Sequence, residues 1–258
     1  MKINHLSYSQ VSTWLRCGRT YYLRYLEKVR LRRGVGVALP LGSAVHAAVE
    51  KNLTQKIESK VDLPEEEVGE AAIGDFMDRA ERDEIDFDGK KPEDVATLAG
   101  ELAEVHTREL APRIQPLLVE TELRADLLDR GWDLLAYIDL VDEERHIVDL
   151  KTAARAKAVG SLERDLQLSL YAAIWRKTTG KIEAGLRHDV LIKPTKTMGV
   201  RTQQIITSRT ETQIGAALDI VGHVADGIEA EIFPANPGQA CNICDYRGTE
   251  WCSLGGEK

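Results

Sequence analysis

Residues 137–151 read YIDLVDEERHIVDLK, and this stretch decides the fold. Apolar and polar residues alternate on both sides of the polar turn DEER, a pattern typical of two strands joined as a hairpin. We predict these strands over residues 132–141 and 146–151. Because successive side chains of a strand point to opposite faces, Asp149 and Lys151 share one face. The hairpin therefore presents an acid and a base on one surface.

The same hairpin predicts a site for a divalent cation. If its strands pair antiparallel, Asp139 approaches Asp149, and two carboxylates beside an ammonium repel or pair strongly unless a cation lies among them. Oxygen ligands suit Mg²⁺ or Mn²⁺. Glu120, on a preceding segment that also alternates like a strand, is a further candidate ligand. The alternative is a surface hairpin whose charges face water, since isolated D-x-K triplets are frequent by accident.

Length and composition indicate a globular chain. The 258 residues allow one large domain or two small ones, and 43% apolar residues supply a packed core. The net charge of -8 does not indicate nucleic-acid binding by itself, but a metal placed between protein and phosphate tolerates an acidic balance. The N-terminus lacks a signal-peptide pattern, and no apolar run reaches the ~20 residues of a membrane span. We expect a cytoplasmic protein without membrane contact.

A basic and aromatic segment lies near the N-terminus. The capping-box spacing of Ser7 and Gln10 predicts one helix that continues towards Val29. Cations beside aromatic rings are what single-stranded nucleic acid binds, backbone to cation and base to ring. A solvated helix with its tyrosines in the core explains the segment equally well. The candidate DNA-binding residues are Tyr22, Arg24, Arg30, Arg32 and Arg33.

A second helix, with Ser43 as its N-cap, carries His46 and Glu50 four residues apart. Glu50 can therefore orient His46 if the imidazole binds a metal, although a lone histidine on a helix is usually structural. Residues 56–113 are acidic and helical, and we predict a helical insertion over the core, including a helix over residues 92–110.

The residues after the hairpin complete an α/β core. Ser161 is predicted to cap a helix that ends near Gly180. On it Gln167 and Tyr171 lie at i and i+4, and both side chains make good phosphate and base contacts. An amphipathic core helix explains its leucines but not this polar pair. Further strands are predicted over residues 186–193 and 200–206, followed by a helix over residues 210–229.

The cysteines suggest a metal site that joins the two ends of the chain. Cys241, Cys244 and Cys252 have the spacing C-x₂-C-x₇-C, and Cys17 is the remaining cysteine. A site with four thiolates would use every cysteine present. Zinc and an iron–sulfur cluster both accept four thiolates, so the spacing leaves both open.

These motifs together resemble the RecB-like branch of the PD-(D/E)xK nucleases over nearly the whole chain. The branch includes the nuclease domains of the RecB and AddB helicase-nucleases and small CRISPR-associated exonucleases that also occur in phages. Its motifs G-x-x-x-H, an acidic strand motif, D-x-K and Q-x-x-x-Y match residues 42–46, 137–139, 149–151 and 167–171 in order. Ala136 stands where many members have glycine before the acidic motif.

The resemblance implies an α/β, restriction-endonuclease-like core with a mixed central sheet flanked by helices, in a single domain over residues 1–258. Its iron–sulfur subgroup has one cysteine before the core and three after it, which favours a [4Fe–4S] clip over zinc. The implied parts are the N-terminal basic helix, the helical insertion, the catalytic core and the cluster segment, at residues 1–36, 56–113, 114–207 and 233–258.

The resemblance further implies a metal-dependent DNA exonuclease acting on single-stranded ends. Lys151 would position or deprotonate the attacking water, and Gln167 and Tyr171 would hold the strand near the site. One or two Mg²⁺ or Mn²⁺ ions would be held by His46, Asp139, Asp149 and the carbonyl of Leu150.

Two other functions remain open: a flap-cutting endonuclease on the same scaffold, and a DNA-end-binding adaptor with incidental nuclease activity. The sequence contains no G-x-x-x-x-G-K-[ST] motif, so DNA unwinding needs fraying or a partner. Candidate partners are a helicase, a recombinase or a CRISPR integration complex. The corresponding pathways are recombination and repair, phage DNA metabolism or spacer acquisition.

Overall fold

The computed structural model describes residues 3–30 and 34–254. Strands and helices alternate along this part of the chain. In chain order they are β1 (His5–Ser7), α1 (Tyr8–Arg16), α2 (Gly18–Tyr21), β2 (Val35–Gly36), α3 (Ala38–Ser59), α4 (Glu65–Arg82), β3 (Ile85–Asp86), α5 (Pro92–Glu109), β4 (Pro116–Ala125), β5 (Asp133–Asp142), β6 (His146–Ala153), α6 (Leu166–Thr179), β7 (Gly185–Ile192), β8 (Arg201–Thr207) and α7 (Glu211–Glu229).

A mixed sheet forms the centre of the fold. β5 pairs antiparallel with β4 and with β6, β6 pairs parallel with β7, and β7 pairs antiparallel with β8. The short β1 adds a parallel pairing with β5. The predicted α/β class, the mixed sheet and the hairpin of β5 and β6 are confirmed. The short β2 and β3 pair separately.

The sheet forks at Asp139. One edge of β5 serves two strands, because residues 133–135 pair with β1 whereas residues 140–141 pair with β6. Between them, at residues 136–139, no strand of the described chain pairs with this edge. The alternation of β5 also breaks here, since Ile138 packs in one core and Leu140 in the other. Such an irregularity changes the direction of a side chain from the one that regular strand pairing would give it.

Helices cover both faces of the sheet and enclose two apolar cores. On one face α3, α4 and α5 pack over Leu140, Val148 and Leu150. On the other face α1, α6 and α7 pack over the opposite side chains of the same strands. Among the described residues, no helix combines the length and the apolar character of a membrane span. The fork is therefore flanked by a helical layer on each side.

The prediction of one helix from Ser7 to Val29 is wrong. The capping box of Ser7 and Gln10 is present, but the helix ends at Arg16 because Cys17 has extended backbone angles. A short second helix, α2, and a π-helical turn over Tyr22–Leu26 follow. The break between α1 and α2 therefore falls at Cys17, the first cysteine.

Two predicted helix starts are also wrong. Ser43 lies inside α3, which begins five residues earlier at Ala38. Ser161 lies in a 3₁₀ turn, and the N-cap of α6 is Asp165, whose carboxylate accepts a hydrogen bond from the Leu168 N–H at 3.0 Å. A good capping residue in the sequence marks a helix start only where the preceding chain leaves the helix path. The predicted stop of α6 at Gly180, in the left-handed region, is confirmed.

Candidate active site

Two aspartates and a lysine meet at the fork of the sheet. Asp139 ends the unpaired stretch of β5, and its Oδ2 accepts a hydrogen bond from the Leu150 N–H at 2.8 Å. Lys151 Nζ donates to Asp149 Oδ1 at 2.9 Å, which confirms that the two side chains share a face of β6. Asp149 is only 1% exposed. The fork thus contains one fully buried carboxylate, one half-buried carboxylate and one ammonium.

Helix α3 adds an imidazole to this cluster, and β4 adds a third carboxylate. His46, Glu120 and Asp139 each offer one ligand atom, and these atoms lie within 4.8 Å of one another. His46 Nδ1 lies 3.8 Å from Asp139 Oδ2, and the imidazole hydrogen-bonds the Leu150 backbone. Glu50 lines the same cavities as His46. Oxygen atoms with one imidazole are a donor set that fits Mg²⁺ or Mn²⁺.

Glu120 reaches the cluster through an unusual backbone. Its φ of 42° lies in the left-handed region, although Glu120 sits in the middle of β4. The neighbouring pairs Val119–Leu140 and Thr121–Ile138 place it level with Asp139. Non-glycine residues in this region cost about 1–3 kcal/mol and concentrate at functional sites. Strands β4 and β5 are therefore both irregular at the level of the carboxylates.

Burial raises the pKa of each of these carboxyl groups. Burial is the main cause for Asp139 and Asp149, with Lys151 opposing it in both cases. For Glu120, burial and then the charge of Asp139 raise the pKa to about 7. Removing carboxylates from water while keeping them adjacent is unfavourable, and a bound cation reverses both effects.

The two basic groups of the site differ in charge. Burial lowers the pKa of Lys151, but Asp149 and Asp139 outweigh burial and the pKa is raised, so Lys151 is an ammonium. Burial lowers the pKa of His46, helped by the nearby Lys151, so its imidazole is neutral and competent to bind a metal.

Helix α6 contacts the site from the opposite face of the sheet. Lys151 Nζ lies 3.4 Å from Gln167 Oε1, and the Gln167 amide donates to the Tyr171 hydroxyl at 2.8 Å. That hydroxyl donates to the Tyr137 carbonyl of β5 at 2.7 Å. Gln167 and Tyr171 therefore form a chain of hydrogen bonds from Lys151 back to the sheet.

An open cavity of about 500 Å³ leads to the cluster. Its wall along α3 combines small and apolar residues with His46 and Glu50, and its floor is the fork of the sheet. A Cβ added at Gly42 would lie 3.4 Å from Thr152 Oγ1, so α3 passes close to the end of β6. The lining includes Leu39, Gly42, His46, Arg79, Asp139 and Lys151.

The four cysteines line one cavity of about 60 Å³ between the two ends of the chain. A single water occupies about 10–15 Å³, so the cavity has room for a group larger than one water. Around one tetrahedral zinc, with bonds of about 2.3 Å, sulfurs lie about 3.8 Å apart. No three of these cysteine sulfurs lie within 4.8 Å of one another. In this structure the four thiols thus lie farther apart than the ligands of a single tetrahedral zinc.

The surroundings of Cys17 favour its thiolate form. Burial raises the pKa of this thiol, but backbone hydrogen bonds from Asn236, Thr20 and Arg19 lower it below its ordinary value overall. Asn236 also bonds the Arg16 carbonyl at 3.2 Å. Asn236 of the C-terminal segment thus contributes to the lowered pKa of the first cysteine.

Some of the predicted DNA-binding residues border a separate cavity of about 480 Å³. Arg24 and Arg30 line it, together with residues from both ends of the chain. Tyr22 instead packs beside Phe233, with ring centroids 5.3 Å apart. Arg32 and Arg33 lie outside the described residues. The other lining residues include Tyr25, Lys28, Asp245 and Tyr246.

A basic pair that none of the sequence motifs indicates lies behind Asp149. His188 lies beside Asp149 in the register of β6 and β7 and is 1% exposed. Lys157 Nζ lies 3.0 Å from His188 Nδ1. Burial lowers the pKa of His188, against the attraction of Asp149. Three polar residues, Arg-His-Asp, inside the otherwise apolar β7 are the signal that points to this pair.

A mixed sheet flanked by helices, with two acids and a lysine at its fork, is consistent with the fold of the PD-(D/E)XK nucleases. The chain belongs to the PD-(D/E)XK nuclease superfamily, whose family model matches residues 5–252.

Among solved structures, the fold is similar to a protein described as "Putative exonuclease" from Eubacterium rectale, with a TM-score of 0.62 and 18% identity over 94% of this chain and 86% of the other. A protein described as SSO0001 aligns with a TM-score of only 0.31 and 13% identity, over 83% of this chain and 84% of the other. A search of the curated proteins found no match.

Proposed function

We propose that this protein is a divalent-metal-dependent deoxyribonuclease that digests DNA from single-stranded ends. One observation carries the proposal: Asp139, Asp149 and Lys151 converge in the fork of the sheet, with an imidazole and a third carboxylate beside them. Membership of the nuclease superfamily supplies the reaction class. The description of the Eubacterium rectale protein agrees with an exonuclease.

The metal ligands in this proposal are His46, Asp139, Asp149 and the Leu150 carbonyl, with Glu120 as an added ligand. Bound Mg²⁺ or Mn²⁺ supplies an activated water and neutralises the charge that develops on the phosphate oxygens. The superfamily typically uses such metals.

Lys151 acts as an ammonium in this proposal. Its bond to Asp149 fixes the carboxylate, and its charge lies where a scissile phosphate enters the cleft. Gln167 and Tyr171 hold the lysine in place from α6. The neutral His46 keeps its ring nitrogen free for the metal.

The basic surface around Arg24, Lys28 and Arg30 supports single-stranded DNA as the substrate. Three cations and the half-buried Tyr25 border its cavity, and among the described residues there only Arg24 has an acidic partner, Asp245 at 3.2 Å. Cations hold a phosphate backbone and aromatic rings stack with unpaired bases. We propose that this surface guides the strand, and that a helicase, recombinase or CRISPR integration complex in the cytoplasm supplies the ends.

We also propose an iron–sulfur cluster, of the [4Fe–4S] type, on Cys17, Cys241, Cys244 and Cys252. The support is the shared cavity of the four thiols and their spacing, which is wider than a zinc site. Such a cluster supplies four metal–thiolate bonds that tie the two ends of the chain.

The test of the nuclease proposal is digestion of 5′- and 3′-labelled single and double strands with Mn²⁺, with EDTA as the metal-free control. We expect wild-type protein to degrade linear single strands and to leave closed circular single strands intact. Asp149→Asn and Lys151→Met should each lower the rate by at least about 10²-fold. The matched control is Asp133→Asn, on the same strand as Asp139 but outside the cleft, and it should cleave normally.

Other outcomes would identify the alternatives. Cutting of circular single strands would show an endonuclease, such as a flap-cutting enzyme. DNA binding without cleavage under any metal would show an end-binding adaptor and would refute the proposal. Full activity of Asp149→Asn would refute the assignment of the site.

A further inference from the structure

A buried histidine lies directly behind the catalytic strand. His188 of β7 is the neighbour of Asp149 in the parallel pairing with β6. Its Nε2 lies 3.2 Å from Asp149 Oδ2, and both side chains are 1% exposed. The contact is not aligned as a hydrogen bond, and neither atom has another aligned partner among the described residues. Lys151 Nζ is the other polar neighbour of Asp149 Oδ2, at 2.8 Å, so this oxygen lies between the ammonium on its own strand and the imidazole of the next strand.

The other side of the imidazole is held by Lys157. Lys157 Nζ lies 3.0 Å from His188 Nδ1, and an ammonium can only donate. Nδ1 is therefore the acceptor, and the proton of a neutral ring is on Nε2, which faces Asp149. The polar neighbour on α6 is Asp165, whose Oδ2 lies 3.9 Å from the same Nε2.

The loop that carries Lys157 is fixed to the sheet. The Lys157 backbone N–H donates to Gln203 Oε1 at 2.9 Å, and the Gln203 amide donates to the Lys157 carbonyl at 2.9 Å. This pair of bonds anchors Lys157 to β8, two strands from Asp149. The ammonium therefore meets the histidine from a defined position.

We propose that His188 is a positioning residue of the nuclease site, whose Nε2–H orients Asp149 and whose tautomer is set by Lys157. This inference rests on the proposed function, because orienting Asp149 matters only where Asp149 binds a metal. Hydrogen bonds of catalytic groups are often poorly aligned in free enzymes and tighten when the site is filled. Residues that orient ligands typically change metal affinity or activity 10–100-fold when replaced.

A purely structural role makes a different prediction. If His188 only fills space, the loss of stability on replacing it depends on the volume of the new side chain. The unfolding temperature then changes, whereas the metal affinity of the folded protein does not. If His188 orients Asp149, the loss of metal affinity depends on whether the new side chain places an N–H at the position of Nε2. Glutamine and asparagine separate the two cases, since the glutamine amide reaches the Nε2 position and the shorter asparagine amide does not.

The experiment uses His188→Gln, His188→Asn and Lys157→Met in the full chain. The probe is Mn²⁺ alone, titrated by calorimetry into folded protein, and cleavage of single-stranded DNA gives kcat and KM separately. We expect His188→Asn to weaken Mn²⁺ binding and to lower kcat, each by about 10–100-fold, with KM for DNA unchanged. His188→Gln should stay within about threefold of wild type, and Lys157→Met should fall between them.

The matched control is His223→Asn, an exposed histidine on α7, which should match wild type in every measurement. Wild-type Mn²⁺ affinity and kcat in His188→Asn would overturn the inference. Equal losses in the Gln and Asn variants would also overturn it and show a packing role. If the His188 variants fail to fold, Lys157→Met decides, and unchanged Mn²⁺ affinity in it refutes the inference.

The two proposals can fail separately. A wild-type protein that binds Mn²⁺ through Asp149 but cleaves no DNA refutes the nuclease proposal. The effect of His188→Asn on Mn²⁺ affinity then still tests whether His188 positions Asp149.

Discussion

Replacing Glu120 by glutamine should stabilise the metal-free protein at neutral pH. Burial and the charge of Asp139 raise the pKa of Glu120 from its ordinary 4.5 to about 7. The folded protein therefore binds a proton at Glu120 more tightly than the unfolded chain does. Stability is highest below about pH 4.5, falls as the pH rises towards about 7, and stays low above it. Glutamine resembles the protonated acid at every pH, so the variant escapes this loss.

The size of the effect follows from the pKa difference. At about 1.4 kcal/mol per pKa unit, the rise from 4.5 to about 7 corresponds to about 3.5 kcal/mol for a fully buried group. Glu120 is only partly buried, so solvent screening reduces this to about 1–2 kcal/mol. For a chain of this size, the melting temperature should rise by about 2–6 °C at pH 8. The left-handed backbone remains, because glutamine keeps the same Cβ.

The assay is thermal unfolding in EDTA between pH 4.5 and pH 8, for wild type and Glu120→Gln. The difference in melting temperature should be near zero at the acidic end and should grow through pH 7. Glu122→Gln is the matched control, two residues along the same strand. The hydrogen bond from Arg124 lowers the pKa of Glu122, so this control should gain no stability.

With Mn²⁺ added, wild type should have the higher melting temperature and Glu120→Gln the lower one. A bound cation removes the cost of the Glu120 charge, so wild type should gain more stability from Mn²⁺ than Glu120→Gln does. Equal melting temperatures in EDTA at pH 8, or a difference that is larger at pH 5 than at pH 8, would refute the reasoning about Glu120.

Three further predictions concern the two ends of the chain. Cys244→Ser should lose iron and visible absorbance, whereas Asp149→Asn should keep both; stoichiometric zinc in a colourless, active wild type would contradict the cluster. Arg24→Ala with Arg30→Ala should lower the salt slope of single-strand binding by about 1.4, at about 0.7 per phosphate contact. An unchanged slope, equal to that of the exposed control Arg108→Ala, would place the DNA elsewhere. Gly18→Ala should destabilise the protein by about 1–3 kcal/mol, because its Cβ would lie 2.7 Å from Pro234 Cδ. Gly215→Ala, with open space around its Cβ, should instead stabilise by about 0.5–1 kcal/mol in urea unfolding, and equal changes would refute the contact.

The sequence by itself determined the elements that depend on local pattern. The hairpin of β5 and β6 follows from alternation on both sides of a polar turn, and the structure confirms it. The predicted starts of α5 at Pro92 and of α7 near Thr210 depend on residues within one turn of the helix, and the structure confirms both. Asp149 and Lys151 share a face because side-chain direction in a strand repeats every two residues.

The tertiary structure decided the features that depend on residues distant in the sequence. The fork at Asp139 exists because β1 and β6 take different parts of one edge of β5. The helix break at Cys17 lies where the C-terminal segment packs against Gly18. Glu120 leaves the strand conformation beside Asp139, and His188 reaches Asp149 only because β7 pairs with β6. Local preferences are too weak to specify these features, since strand partners and packing across the chain override them.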